Sequence, residues 1–398
     1  MIKNDGHVDF VDAPMHVVHV VSSLDPRHGG PVTALMGLVE AQCHAGLKVS
    51  VLATWNSGDN LDLADRLREL KVNIELIGPC VGAIRWHREI GPTVRRALDS
   101  VQVVHIHAIW EEVLHVSARQ SHRRHIPYLI RPCGMLDPWC LAQSRLKKRL
   151  YMALRLKRNL DHAAAIHFTT QEESRLTKPL RIKAPSIVEP NGIDLQEFGK
   201  LPDPGCFRRQ LKDIGDQQII LFLSRLHPKK GLELLIPAFR QANLQDTVLV
   251  IAGPADSPAY LQKLQSLVEA NGLDGRVEFV GMLHGKRRIE AMVDADLFVL
   301  PSYQENFGVA VVEALATGTA VLISDQVNIC SQVSDAKVGA VVPVDTASLA
   351  TALKSLMSDE QLRRNAESGA RDFVFRAYDW QHIAKRWKQH YLQMASKS

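Results

Sequence analysis

No run of eighteen or more apolar residues occurs in this chain of 398 residues, so no segment reaches the length at which a helix spans a bilayer. Cysteine is sparse: Cys43, Cys80, Cys133, Cys140, Cys206 and Cys330 are scattered without a C-x-x-C pair. That pattern indicates neither a zinc site nor a disulfide framework and leaves a reducing cytoplasm as the expected compartment. Low-complexity tracts and short repeats are missing, and nothing in the composition marks disorder. Residues 1–14 carry Lys3, Asp5, Asp9 and Asp12 and have no apolar core, unlike a signal peptide, so they read as a flexible leader. An aromatic stacking motif and a zinc finger are also lacking, and a net charge of +5 is small for a dedicated nucleic-acid binder. Nucleic acid is therefore not an expected partner.

Hydrophobic residues make up 46% of the chain, enough for sizeable cores in two or three domains. Short apolar runs at Met15–Val21, Lys48–Ala53, Val72–Ile77, Val101–Ile106 and Pro127–Ile130 alternate with helical patterns such as Leu61–Leu70 and Thr93–Leu98. A second series begins at Ile219–Ser224 and continues through Val248–Gly253, Val277–Gly281, Ala295–Leu300, Ala320–Ile323 and Gly339–Val342. Strand-helix alternation of this kind implies parallel, doubly wound sheets in an α/β fold. The turn-rich Pro190–Asp194 and the punctuated Leu201-Pro202-Asp203-Pro204-Gly205 mark the passage between the two series. Near the end, Phe373, Tyr378, Trp380, Ile383, Trp387 and Tyr391 fall at helical spacing, which suits docking onto protein rather than a free tail.

Charge is uneven along the chain. Residues 1–188 hold 25 Lys+Arg against 18 Asp+Glu, and residues 189–398 hold 23 against 25. Much of the basic excess lies in Arg145–Arg158, where Leu146, Leu150, Ala153 and Leu154 share one helical face and the other face is mostly cationic. Two readings stand here: a surface helix packed on its own domain through the leucines, and a helix lying on an anionic membrane surface.

The densest chemistry sits in Pro301–Gly318. An apolar strand ends at Pro301, a loop carries Ser302, Glu305 and Asn306, and Val309, Val312, Leu315 and Ala316 recur as a helix that Gly318 stops. Glu305 then lies beyond the carboxyl end of a strand and Glu313 on the following helix, where open α/β sheets bind ligands. A carboxylate accepts hydrogen bonds from neighbouring sugar hydroxyls. Arg225 follows the Ile219–Ser224 strand, and Lys230 in Pro228-Lys229-Lys230-Gly231 precedes a helix, so fork and point charge together make a phosphate clamp. After the first strand, Gly29 and Gly30 precede a helix whose first turn holds Pro31, a start that favours anions.

Glu305 and Glu313, with Phe307-Gly308 between them, resemble the E-x7-E signature of retaining glycosyltransferases of family 4, and the resemblance runs from about His16 to about Trp387. It implies the GT-B architecture, two doubly wound domains facing across a cleft. Residues 15–195 would form an acceptor-side domain completed by a C-terminal helix at about 378–398, and residues 196–377 the donor domain. It implies a hexosyltransferase that needs no cofactor or metal and takes a UDP-, GDP- or ADP-sugar as donor. Arg225 and Lys230 would hold the diphosphate, Glu305 the sugar hydroxyls and Glu313 the ribose. Ser302, Asn306, Phe307 and Gly308 would line the donor, with Gly29 and Gly30 approaching its phosphates. His107, at the carboxyl end of the Val101–Ile106 strand, would touch donor or acceptor sugar or serve no catalytic part.

Arg131-Pro132-Cys133-Gly134-Met135-Leu136-Asp137-Pro138-Trp139 is similar to a run in the subgroup tied to surface and exopolysaccharide synthesis, which implies a saccharide or lipid-linked saccharide acceptor and a peripheral place on the inner face of the cell membrane. Many members carry histidine where this chain has Cys133, and a thiol is a weak donor, so Cys133 reads as an inert cysteine at a donor-facing position. Asp294-Ala295-Asp296 matches the D-x-D metal motif of other sugar transferases but sits at a helix-to-strand junction, where it reads as capping. Two alternatives remain at this level: a non-hydrolysing sugar-nucleotide epimerase, and a non-catalytic nucleotide-sugar binding protein.

Overall fold

β-Branched runs build the first sheet: β1 (His16–Val21), β2 (Lys48–Thr54), β3 (Asn73–Ile77), β4 (Val103–His107), β5 (Tyr128–Arg131), β6 (Ala165–Phe168) and β7 (Ser186–Val188). All pair in parallel, in the order β3-β2-β1-β4-β5-β6-β7. The computed structural model describes residues 14–211 and 214–397, so apart from Pro14 the expected leader lies outside the described residues. Every residue of β1 is buried, as a sheet covered on both faces requires. Val17, Leu35, Leu38 and Val103 form the core on one face, and Val18, Val104, Ile130 and Leu160 the core on the other. Each such side chain contributes about 1.5–3 kcal/mol by leaving water.

The second sheet repeats the plan with β8 (Gln218–Leu223), β9 (Thr247–Ala252), β10 (Val277–Gly281), β11 (Leu297–Leu300), β12 (Val321–Ser324) and β13 (Gly339–Val342). Its parallel order is β10-β9-β8-β11-β12-β13. The expected α/β fold of two doubly wound sheets is therefore present. In each sheet the strand order reverses at one point, between β1 and β4 and between β8 and β11. Crevices at such switch points are where open α/β sheets take ligands. The loops after β1, β8 and β11 carry Gly29–Gly30, Arg225–Gly231 and Ser302–Gly308 to those two points.

The aromatic tail is divided. Helix Glu360–Ala377 precedes helix Trp380–Ala395, and the Asp379 carboxylate caps the second by accepting from the Gln381 N–H at 3.0 Å. Phe373 and Tyr378 pack with the core of the second domain, whereas Trp380, Ile383, Trp387 and Tyr391 are buried with Val17, Leu35 and Leu38 of the first. The crossing is pinned where the Ile193 N–H donates to the Tyr378 carbonyl at 2.9 Å. The punctuated segment at Leu201–Gly205 is already anchored to the second domain, because the Asp294 carboxylate accepts from the N–H groups of Gly205, Phe207 and Arg208.

Residues 145–161 form helix Arg145–Tyr151, a π-turn over Met152–Leu156 and helix Lys157–Asp161. Leu156 and Leu160 face inward, while Leu146, Leu150 and Leu154 are 81%, 62% and 72% exposed. The reading in which those leucines pack on their own domain is overturned: the extra residue in the π-turn puts a different leucine pair inside. No helix among the described residues is long and apolar enough to cross a membrane.

Candidate active site

Lys230 ends a short 3₁₀ turn (Pro228–Lys230) after β8, and Gly231 follows it at φ 75°. A Cβ on Gly231 would stand 2.0 Å from the Pro301 carbonyl oxygen, so only glycine lets the two loops touch. The Tyr303 N–H donates to the Lys229 carbonyl at 2.8 Å, tying the loops again. Glu305 is held from its other side: its N–H donates to Gln326 O at 3.0 Å, and its carbonyl accepts from the Asn328 N–H at 2.9 Å. This double anchorage brings the Lys230 ammonium against the Glu305 carboxylate in an ion pair, with Lys230 only 6% exposed. Burial pushes the Glu305 carboxyl up, but the charge and hydrogen bond of Lys230 outweigh it and hold the group below its ordinary value. Burial pushes the Lys229 ammonium down, helped by Lys230 and Arg225, so positive charge converges on this loop.

Glu313 is buried in helix Val309–Thr317, which opens at Gly308. Its carboxylate meets Arg288 Nη1 at 3.2 Å, and Arg288 also holds Glu197 at 2.6 Å. Burial dominates and raises the Glu313 carboxyl to about 7, against the pull of Arg288 and with a small push from Glu197. Phe307 is buried edge-on against Tyr378 at 5.6 Å, leaving its backbone for contacts. Ser302 differs from expectation. It is fully buried, its carbonyl accepts from Ser324 Oγ at 2.6 Å, and its own hydroxyl is enclosed, so it lies behind the loop surface.

Across the cleft, a Cβ on Gly29 would come to 4.0 Å from Arg225 Nε, and one on Gly30 would meet nothing within 4 Å. The start of helix Gly30–His44 thus faces the exposed Arg225 over open space. The domains touch at Asn306, whose Nδ2 donates to Thr169 Oγ1 at 3.1 Å, and Gly134 at φ 75° leaves room for the Asn306 side chain. Cys133, half-buried at φ 54°, turns its thiol to the Arg131 carbonyl at 3.6 Å, and burial pushes that thiol up. A raised thiol is not a nucleophile at neutral pH.

Glu173 was not foreseen. It is 3% exposed, and its carboxylate accepts from the N–H of Gly134 at 2.7 Å, the N–H of Thr169 at 2.8 Å and Thr169 Oγ1 at 2.9 Å. It therefore fixes both first-domain groups that meet Asn306. The spacing Thr170-x-x-Glu173, with Thr170 Oγ1 accepting from the Glu173 N–H at 3.0 Å, was the available signal.

His107 bears on the two readings given for it. It is 2% exposed and belongs to a buried chain whose proton positions follow from one fixed acceptor. His167 Nε2 donates to the Glu189 carbonyl at 2.9 Å, so its Nδ1 accepts from His105 Nε2 at 3.1 Å. His105 Nδ1 then accepts from the Tyr391 hydroxyl at 2.8 Å, which accepts from Gln42 Nε2 at 3.0 Å. Gln42 Oε1 accepts from His19 Nε2 at 2.8 Å, and His19 Nδ1 from His107 Nε2 at 2.9 Å. Burial drives His19 to about 4 and the other three imidazoles well below their ordinary value, so all are neutral. The Nε2 of His107 is thereby committed to His19 and closed to a sugar.

Nitrogens of His19, His105 and His107 lie within 4.8 Å of one another, a spacing a metal tolerates. Hydrogen bonding uses all but His107 Nδ1, and the charge of Arg131 depresses all three rings. The set fits a structural wire better than a metal centre. Asp294 and Asp296 do not converge on an ion either: Asp294 caps the linker, and Asp296 accepts from the Ile219 N–H at 2.8 Å.

Residues 29–192 match the family model described as Glycosyl transferase 4-like domain, and residues 207–373 match Glycosyl transferases group 1. A phosphatidyl-myo-inositol mannosyltransferase of Mycolicibacterium smegmatis is 32% identical over 200 residues, 49% of this chain and 48% of that protein. A D-inositol 3-phosphate glycosyltransferase of Jonesia denitrificans is 29% identical over 240 residues, 56% of each. The chain thus spans about half the length of the curated relatives it matches. Among solved structures, Anabaena HepE in complex with UDP superposes with a TM-score of 0.78 at 19% identity, covering 94% of this chain and 99% of that one. Sucrose-phosphate synthase from Thermosynechococcus elongatus gives 0.75 at 21% identity, covering 96% and 100%. The first half of the chain thus matches the 4-like model and the second half the group 1 model, and the two are joined in the GT-B arrangement of these solved structures.

Proposed function

We propose that this protein is a retaining, metal-independent glycosyltransferase that moves a hexosyl group from a nucleotide diphosphate sugar to a saccharide or lipid-linked saccharide acceptor in surface polysaccharide synthesis. The observation that carries this reading is the anchored Lys230–Glu305 pair beside Arg225, opposite the open start of helix Gly30–His44. A diphosphate in that space meets Arg225 and Lys230 from one domain and the positive end of helix Gly30–His44, at Gly30, from the other. The Glu305 carboxylate, ionised at neutral pH, accepts from sugar hydroxyls, and Glu313 accepts from the ribose. As the bond between sugar C1 and the diphosphate oxygen breaks, negative charge grows on the leaving group, and the cations stabilise it. The acceptor hydroxyl oxygen bonds C1, and its proton leaves to the diphosphate or to solvent. The Ser302 hydroxyl, enclosed behind the loop, takes no part.

Structural neighbours solved with UDP, UDP-glucose and UDP-2-fluoro glucose favour a UDP-sugar donor. Approach to a lipid-linked acceptor is supplied by the exposed Leu146, Leu150 and Leu154 among the cations of residues 145–158, which rest on an anionic membrane surface. The test is to incubate the protein with UDP-, GDP- and ADP-sugars, metal-free, with a membrane extract as acceptor source, and to follow free nucleoside diphosphate and labelled glycan. Transfer from one donor with retained anomeric configuration supports the proposal. A changed nucleotide sugar with no diphosphate released identifies an epimerase, and binding without turnover of any donor a binding protein.

A further inference from the structure

Helix Glu112–Arg123 and the segment ending at Asp161 enclose a cavity of about 340 Å³, within the size range of small-ligand sites. Tyr128, the first residue of β5, lines it, so it opens at the amino ends of the strands, opposite the edge where Gly29 and Gly134 face the cleft. Four guanidinium groups, of Arg119, Arg123, Arg155 and Arg158, and the imidazoles of His115, His122 and His162 line it, and no carboxylate does. Arg155 is paired with Glu112 at 2.7 Å; Arg119, Arg123 and Arg158 make no ion pair among the described residues. The floor is built: the Tyr128 hydroxyl donates to the Asn159 carbonyl at 2.7 Å, and Asn159 Nδ2 donates to His115 Nδ1 at 2.9 Å. With Nδ1 accepting, the proton of His115 sits on Nε2 and is available to an acceptor. Burial and the nearby arginines, against the pull of Glu112, push His115 down to about 4, and burial, His162 and Arg158 lower His122.

We propose that this cavity is a second anion site, for a phosphate or diphosphate group, separate from the donor cleft. Arginine forks match phosphate oxygens two at a time, and such an occupant relieves the mutual repulsion of three unpaired guanidinium groups. Two sources share this chemistry: a soluble phosphorylated compound, and a lipid headgroup. The second has a structural argument, since Leu154 lines the cavity and continues the exposed leucine stripe toward Leu150 and Leu146.

The probe is inorganic pyrophosphate, titrated calorimetrically into the whole protein, into Lys230→Ala and into Arg119→Gln/Arg158→Gln. Both arginines are exposed, so the double change leaves the core intact. Saturable binding that persists in Lys230→Ala and weakens about tenfold or more in the double variant, while UDP binding to the double variant is unchanged, supports the site. Loss of all pyrophosphate binding in Lys230→Ala, or affinity unmoved by the arginine changes, overturns it. Where the site holds, vesicles of phosphatidylcholine with phosphatidic acid distinguish the sources: displacement of pyrophosphate from Lys230→Ala assigns a lipid headgroup, and its retention a soluble phosphate compound.

Discussion

Glu305 and Glu313 stand eight residues apart in one strand-loop-helix unit, yet their surroundings push their carboxyl groups in opposite directions. Lys230 keeps Glu305 ionised, so Glu305→Gln, which keeps shape and loses charge, is expected to lower turnover by about 10²–10³-fold with the fold intact, checked by initial rates and circular dichroism. Glu313 titrates near 7 in the folded protein against its ordinary value of 4.5. Its contribution to stability is therefore present below pH 4.5 and is lost as pH rises to 7. At 1.36 kcal/mol per unit the loss amounts to about 3 kcal/mol, and denaturant melts at pH 5 and pH 8 should show it in the wild type and not in Glu313→Gln. Donor affinity should move the other way, rising with pH through 7, because the proposed ribose contact is stronger with the ionised carboxylate. Arg225, Lys230 and Glu305 were legible because each lies in a loop directly after a strand, and Glu313 because it sits on the helix that follows the Glu305 loop. Glu173 and His107 were not, since the partners that define them come from afar: Gly134 is 39 residues from Glu173, and His19 is 88 from His107.

Among the elements, the helix Trp380–Ala395 does the most to join the two ends of the chain. Trp387 and Tyr391 are fully buried in the first domain, and the Tyr391 hydroxyl is one link of the histidine wire. Tyr391→Phe leaves His105 Nδ1 without a donor and Gln42 Nε2 without an acceptor, so it should cost about 1–3 kcal/mol in chemical denaturation with little change in donor binding. Gly231→Ala is a sharper lesion: its methyl strikes the Pro301 carbonyl, separating the Lys230 and Glu305 loops, and should cost activity beyond its effect on melting. Most strands were readable because they are continuous apolar runs, whereas β6 and β7 were not, being four and three residues long. Helix Glu360–Ala377 was not, because its buried stripe of Arg363, Ala366, Ala370 and Val374 carries small or charged residues and gives little apolar periodicity. For the same reason Phe373 and Tyr378 merged with the tail, though they pack in the other core.

At the scale of the whole molecule, two switch points face each other, and the contact of Asn306 with Thr169 and Gly134 closes the cleft on one side. Strand-helix alternation implied two α/β halves, but which leucines of residues 145–161 face out depends on a π-turn that sequence spacing does not reveal. Replacing Leu146, Leu150 and Leu154 by serine should abolish sedimentation with anionic liposomes without lowering thermal stability, since these side chains are exposed. The most direct test of the central claim is release of nucleoside diphosphate from a panel of UDP-, GDP- and ADP-sugars, metal-free and with acceptor extract, by wild type, Lys230→Ala and Glu305→Ala. Consumption of one donor by the wild type and loss of that turnover in both variants is the expected result. Equal turnover in Glu305→Ala would contradict it, because the Lys230–Glu305 pair would then be no more than a structural tie between two loops.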